Sequence, residues 1–222
     1  MLPATLPPAL LSDPLAASAA VPNGPPADAE SAAFRAMFAA RKSVFVDLLG
    51  WDLPVLDGQY ELDQFDDEHA HYLILMGKDG RHRASARLLP TERPHLLGDL
   101  YAVLCEGAVP AGPHVREITR FCLDRAQSAA ERLVARNELI TALTDHALAE
   151  GITDYTGVAE RGWFEQIAAF GWDCRALGQG VVEAGRELVG LHIRIDADTV
   201  AALTDGGVYI PNALFRGAEP VL

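Results

Sequence analysis

Apolar residues recur along this chain with two different periods, and the switch between them outlines its elements. From Asp28, suited to a helix N-cap region, Phe34, Phe38, Phe45 and Leu48 fall at helical spacing and predict one apolar stripe up to a break at Gly50–Trp51. After a polar stretch, residues 71–76 and 82–89 read as two strands joined across Gly77, Lys78, Asp79 and Gly80, a β-hairpin. Residues 114–123 alternate well enough for a third strand, and the longest helical pattern follows over 126–150, stopping at Gly151 as a C-cap. A strand over 152–158, a helix over 161–170, strands near 173–177 and over 188–195, and a terminal helix from Asp196 complete the series. Strands first and strand–helix alternation afterwards predict an α/β fold, a mixed central sheet flanked by helices on both faces. No internal repeat is visible.

The first 28 residues break the pattern. They hold seven of the 14 prolines and no Lys or Arg, which predicts an extended leader over 1–28 and leaves a single domain over 29–222. With 222 residues and 50% hydrophobic content, that domain can bury a substantial core. The formal charge of −13, from 18 basic and 31 acidic residues, argues against a general nucleic-acid binder and against attachment to an anionic membrane. No apolar run approaches the roughly 18 residues needed to span a bilayer. The first basic residue is Arg35, so the positive start of a secretory signal is not expected and the cytoplasm is the expected compartment. Three irregularly spaced cysteines, Cys105, Cys122 and Cys174, suit reduced, packed thiols.

Charge is distributed unusually within this framework. The segments RKSVFVDLLGW (41–51), ELDQFD (61–66), ARLLPT (86–91) and EITRF (117–121) place Arg, Asp or Glu beside aromatics on short apolar elements. An unpaired charge there would cost several kcal/mol, so ion pairs shaped around a polar, amine-bearing ligand are expected. Each piece also has a structural reading: Arg41 with Asp47 as a solvated helix face, Phe45 and Trp51 as core anchors, Glu117–Arg120 as a plain salt bridge. The string Asp63, Asp66, Asp67, Glu68, His69 and His71 reads as a soluble loop or a metal cluster, although it lacks regular calcium-loop or zinc spacing, and no metal is expected.

The element order resembles a GCN5-type acetyltransferase-like fold, an αβα sandwich in which the helix after the central strand receives a pyrophosphate. Arg125-Ala126-Gln127-Ser128-Ala129-Ala130 stands at the corresponding turn, with small residues where that fold has glycines; an ordinary Ala-rich helix start is the alternative. The four charged segments together resemble the acyl-homoserine lactone synthases, the autoinducer synthases of quorum sensing. Arg41, Phe45 and Trp51, then Asp63 and Asp66, then Arg87 in RLLPT, then Glu117, Thr119, Arg120 and Phe121 follow the family's order and spacing. The likeness continues through TGVAERGWFEQIAAFGW (156–172) and GLHIRI (190–195), covering roughly residues 34–205.

This resemblance implies acyl transfer from a thioester to the α-amine of S-adenosylmethionine, then lactone closure expelling methylthioadenosine, with no cofactor beyond the two substrates. Arg41, Phe45, Trp51, Asp63, Asp66 and Arg87 are then the S-adenosylmethionine-binding residues: aromatic faces and acids for its cations, arginines for its carboxylate. Glu117 is the candidate base that neutralises the amine, its proton affinity set by Arg120 and Arg87 against partial burial. Thr119 and Arg120 complete the catalytic set. Tyr101, Thr156, Val158, Ala159, Trp163 and Phe164 are expected to line an apolar acyl-chain tunnel, Trp163 either capping it or packing in the core. Ala159, where a hydroxyl would bind a 3-oxo group, favours a donor lacking one. Acyl carrier protein is the expected donor partner, docking on Arg125, Arg132 and Arg136, with acyl-CoA as the alternative. An acyltransferase for another amine and an inactive binding module are the competing functions.

Overall fold

The computed structural model describes residues 29–211; the expected leader over 1–28 lies outside the described residues. Helix α1 (Ala29–Arg41) does not continue as a regular α-helix. It widens into a π-helical turn over Lys42–Leu48, closed by Trp51 N–H donating to the Phe45 carbonyl at 2.9 Å. The extra residue per turn rotates the later positions. Phe45 therefore stays buried while Leu48, expected on the same stripe, is exposed.

The polar stretch before the first predicted strand holds a hairpin, β1 (Val55–Leu56) and β2 (Tyr60–Glu61), turning at Asp57-Gly58, both with positive φ. Strands β3 (His71–Met76), β4 (His82–Pro90) and β5 (Val115–Leu123) pair antiparallel in sequence, with the short helix α2 (Leu96–Asp99) and a 3-10 turn (Ala102–Leu104) between the last two. Helix α3 (Ala129–Glu150) crosses to β6 (Asp154–Glu160), which runs parallel to β5. The remaining elements are α4 (Arg161–Ala168), β7 (Asp173–Ala176), β8 (Val181–Glu183), β9 (Arg186–Arg194) and α5 (Thr199–Asp205). Among the described residues the main sheet has seven strands in the order β3-β4-β5-β6-β9-β7, with β8 on β9, so the predicted mixed α/β sheet stands.

Two irregularities shape this sheet. First, β5 and β6 pair only at residues 115–117 and 154–156, and beyond Glu117 and Thr156 the strands part into a wedge. Second, the β4–β5 register steps from Ser85↔Cys122 to Arg87↔Thr119, leaving Arg120 and Phe121 opposite Ala86 alone. At that bulge Arg120 takes a left-handed φ of 50°.

The main core lies on one face, where Ala84, Ala86, Leu88, Tyr155, Ala159, Leu191 and Ile193 pack against Leu139, Ile140 and Leu143 of α3. Side chains alternate across a strand. Arg87, Glu117, Thr119, Thr156 and Val158 consequently project to the other face, toward α1 and α2. The expected terminal helix begins three residues later than predicted, and Leu203 anchors it to the core.

Candidate active site

The bulge in β5 brings consecutive residues to one place. Simple alternation would send Thr119 and Arg120 to opposite faces, yet Thr119 Oγ1 accepts from Arg87 Nε at 2.9 Å while Arg120 Nη2 reaches Asp63 at 2.6 Å. From there a closed circuit of charge can be traced. Arg41 donates both Nη atoms to the Asp66 carboxylate at 2.8 Å, and Asp66 also holds Arg87 Nη1 at 2.8 Å. Arg87 forks onto Asp63 at 2.6 and 3.1 Å, Asp63 binds Arg120, Arg120 binds Glu61 at 3.0 Å, and Glu61 closes the ring on Arg41 Nε. Three guanidinium groups alternate with three carboxylates, so a buried ring of six charges sums to zero. Paired and saturated with hydrogen bonds, these charges meet the condition under which burial is tolerated.

Electrostatics fix the ionisation of the ring. Burial alone would raise the Asp66 carboxyl, but Arg87 and Arg41 override it and hold it far below the usual carboxylate range. Asp63 is lowered in the same way, against burial, by Arg87 and Arg120. Tyr72 of β3 donates its hydroxyl to Asp66 at 2.7 Å, and burial with that neighbouring charge raises its own pKa. Phe45 and Trp51 stack with centroids 4.9 Å apart, and the Arg120 guanidinium lies 5.6 Å over the Phe45 ring. The predicted Arg41, Phe45, Trp51, Asp63, Asp66, Arg87, Thr119 and Arg120 thus share one site. Glu61 and Tyr72 were missed; the signal for Glu61 was its place two residues before Asp63 in an acidic run.

Glu117 differs from expectation. It does not pair with Arg120. Its two oxygens accept the backbone N–H groups of Leu96 and Leu97, each at 2.7 Å, tying α2 to β5. It is fully buried. Burial pushes its carboxyl up to about 7, against the opposing pull of those two N–H groups and Arg87. Beside it on β6, Thr156 is equally buried, and its Oγ1 has no hydrogen-bond partner among the described residues, as is true of Trp51 Nε1.

The expected acyl-chain lining divides. Thr156 and Val158 face the site, and half-buried Tyr101 leads into the 3-10 turn near Arg120 and Glu183. Ala159, Trp163 and Phe164 lie on the opposite face: Ala159 belongs to the α3 core, and Trp163 packs between Phe121 and Phe170. Neighbours on β6 point to opposite sides of the sheet, so only a chain passing through the wedge between β5 and β6 would touch both groups. The arginines expected to dock the donor also make contacts within the chain. Arg125 donates to the Ser43 carbonyl, Arg132 to the Gln127 carbonyl at 2.6 Å, and Arg136 binds Asn137 with its guanidinium 4.6 Å over Phe170. At the pyrophosphate-like turn, Ser128 and Glu131 form a capping box that occupies the start of α3 with its own carboxylate. In the acidic string, Asp67 accepts from His69 N–H and Glu68 is exposed, while Asp63 and Asp66 turn inward to arginines.

Comparison with known proteins agrees with this geometry. The family model for autoinducer synthase matches residues 27–203. An acyl-homoserine-lactone synthase of Ralstonia nicotianae is 35% identical over 169 residues, 73% of this chain and 82% of the relative. Among solved structures, TofI in a ternary complex with an inhibitor and MTA superposes with a TM-score of 0.67 at 30% identity, covering 81% of this chain and 92% of that one. The fold alone is shared with a putative N-acetyltransferase from Lactobacillus plantarum, 20% identical with a TM-score of 0.50 over 72% of this chain and 90% of that one. With a family match over most of its length and a ring built from the segments that carry the likeness, the chain belongs to the autoinducer synthase family.

Proposed function

We propose that this enzyme makes an acyl-homoserine lactone by moving an acyl group from a thioester to the α-amine of S-adenosylmethionine. The amide nitrogen–carbon bond forms as the thiol leaves; the substrate carboxylate then attacks its own γ-carbon, breaking the carbon–sulfonium bond and releasing methylthioadenosine. The observation that carries this reading is the neutral ring. An amino-acid head bears one ammonium and one carboxylate, so it can enter between an Arg and an Asp and leave no charge unpaired. The Asp63–Arg120 link is the natural point of entry, since both side chains are 6% exposed whereas Arg41, Glu61, Asp66 and Arg87 are at most 1%. Arg120 then takes the carboxylate and Asp63 the ammonium, and the sulfonium lies against Trp51 and Phe45.

The amine must lose a proton before it attacks. Asp63 and Asp66 are held ionised too firmly to accept it, whereas Glu117 binds protons near neutral pH and is the proposed base. Thr119 is proposed to hydrogen-bond near the reacting carbonyl, held in place by Arg87. The acyl chain is proposed to enter the wedge between β5 and β6 past Tyr101, Thr156 and Val158. Its donor is acyl carrier protein or acyl-CoA, no cofactor takes part, and the reaction is cytoplasmic, where both substrates are made. No helix among the described residues is long and apolar enough to cross a membrane. Incubation with S-adenosylmethionine and a series of acyl thioesters tests the reading: methylthioadenosine and an acyl-homoserine lactone should appear together by mass spectrometry, and Glu117→Gln should abolish both. Failure to release methylthioadenosine with every donor would refute it.

A further inference from the structure

The wedge between β5 and β6 separates two blocks. One carries the ion ring and the Phe45–Trp51 stack on α1, its π-turn and exit, β2 with the loop after it, β4 and β5; the other is β6 with β9 and β8, which stay paired as far as Glu160↔Leu188 and Glu183↔Arg186. Arg186, at the start of β9, spans them. Its Nη2 donates to the carbonyl of Leu49 at 2.8 Å, 137 positions away in sequence, while Nη1 lies 3.3 Å from Glu160 at the end of β6. Leu49 stands just after the π-turn and two residues before Trp51, so the link crosses the open end of the wedge beside the stacked aromatics. Exposed apolar side chains stand near both ends of the link: Leu48 and Leu49 at the carbonyl end, and on β8, the strand paired to β9, Val181 and Val182 on opposite faces. Tyr101 lies in the combined field of Glu183 and Arg120, between hairpin and ring.

We propose that Arg186 is a latch that closes over the acyl–pantetheine arm of the thioester substrate and keeps water from it. This rests on the reading given above. The arm is a thin chain of methylenes and amides, which matches a slot with exposed leucine and valine at its rims and a guanidinium and a carbonyl at its closure. A partly exposed guanidinium–carbonyl bond is modest in strength, so it can open to admit the arm and reform behind it. Closure has a chemical purpose. Water competes with the amine for the same carbonyl: it adds, the carbon–sulfur bond breaks, a free acid and a thiol are produced, and S-adenosylmethionine is untouched.

Arg186→Ala and Arg186→Lys, assayed in the full chain with separate readouts for thiol and methylthioadenosine, test the latch. In Arg186→Ala the KM for the acyl thioester should rise about fivefold, the scale of one lost hydrogen bond, with the KM for S-adenosylmethionine unchanged. Thiol should also be released in excess over methylthioadenosine, and Arg186→Lys, which keeps the charge, should recover part of the coupling. A thiol-to-methylthioadenosine ratio and donor KM equal to wild type would overturn the proposal. So would equal losses for both substrates accompanied by a lower melting temperature, the sign of a merely structural link. Failure of the functional reading looks different, because the unaltered protein would then release no methylthioadenosine.

Discussion

At the scale of single residues, Glu61 carries more than its anonymity in the sequence suggests. It is fully buried, and it is the carboxylate that connects Arg41 of α1 with Arg120 of the β5 bulge. If the amino-acid head separates Arg120 from Asp63, Glu61 is the contact that keeps the guanidinium in position. Glu61→Gln retains the shape but removes one negative charge and turns an amide N–H₂ toward a guanidinium. Breaking one partner of a buried pair costs about 3–5 kcal/mol, shared here among the surviving links. The expected outcome is a lower melting temperature with a rise of about tenfold or more in the KM for S-adenosylmethionine, and little change in the KM for the acyl donor. Steady-state kinetics with each substrate varied in turn checks this; an unchanged S-adenosylmethionine KM would show that Arg120 needs only Asp63.

At the scale of elements, the wedge depends on a close approach of backbones. A Cβ added at Gly157 would lie 3.0 Å from the Ile118 carbonyl oxygen, so β5 and β6 can run this near one another only because that position has no side chain. Gly157→Ala should push the strands apart by a few tenths of an ångström, destabilise the fold by about 1–3 kcal/mol, and lower the melting temperature by several degrees. If the acyl chain enters there, kcat should fall with the longest donors least affected, which a chain-length series would read. The sequence made the regular elements legible, because the periodicity that marks β3, β4, β5 and α3 is the same periodicity that buries their apolar faces. It also brought together Arg41, Asp63, Asp66, Arg87 and Arg120 through the resemblance they carry. What it concealed are departures from period. The π-turn and the bulge each shift one residue against the count, exposing Leu48 and turning Arg120 onto the face of Thr119, and the Asp57-Gly58 hairpin presents Glu61. A run expected to form one lining is divided between the two faces by strand alternation and a helix, so Ala159, Trp163 and Phe164 pack with the α3 core. Arg132 and Arg136 of α3 engage a carbonyl, an amide and a phenyl ring, which spacing alone does not reveal.

At the scale of the whole molecule, three sets of buried groups make stability depend on pH in opposing ways. Asp63 and Asp66 have folded pKa values below the ordinary 3.8, so the stability they contribute is present above that pH and is lost progressively as pH falls below it. Glu117 is raised from 4.5 to about 7: between those values the folded chain holds a proton that the unfolded chain has released, so its contribution declines as pH rises. His82, hydrogen-bonded to Ser85, is lowered by burial from 6.5 to about 4; the unfolded chain binds the proton there, and stability grows as pH rises through that window. His146, also lowered by burial, adds in the same direction as His82. Glu117 and His82 therefore offset one another over most of the range from pH 4.5 to 6.5. The melting temperature of the wild-type protein should rise only slightly with pH there, through His146, and should fall steeply below the ordinary 3.8, where the unfolded chain takes up protons that folded Asp63 and Asp66 do not. Glu117→Gln removes the declining component alone, so its melting temperature should climb with pH across the same interval as His82 and His146 lose their protons in the unfolded state. His82→Gln should show the mirror image, a melting temperature that falls toward neutral pH. Thermal denaturation of the three proteins at half-unit steps of pH decides the matter, since parallel curves would mean that neither Glu117 nor His82 titrates differently in the folded and unfolded chain.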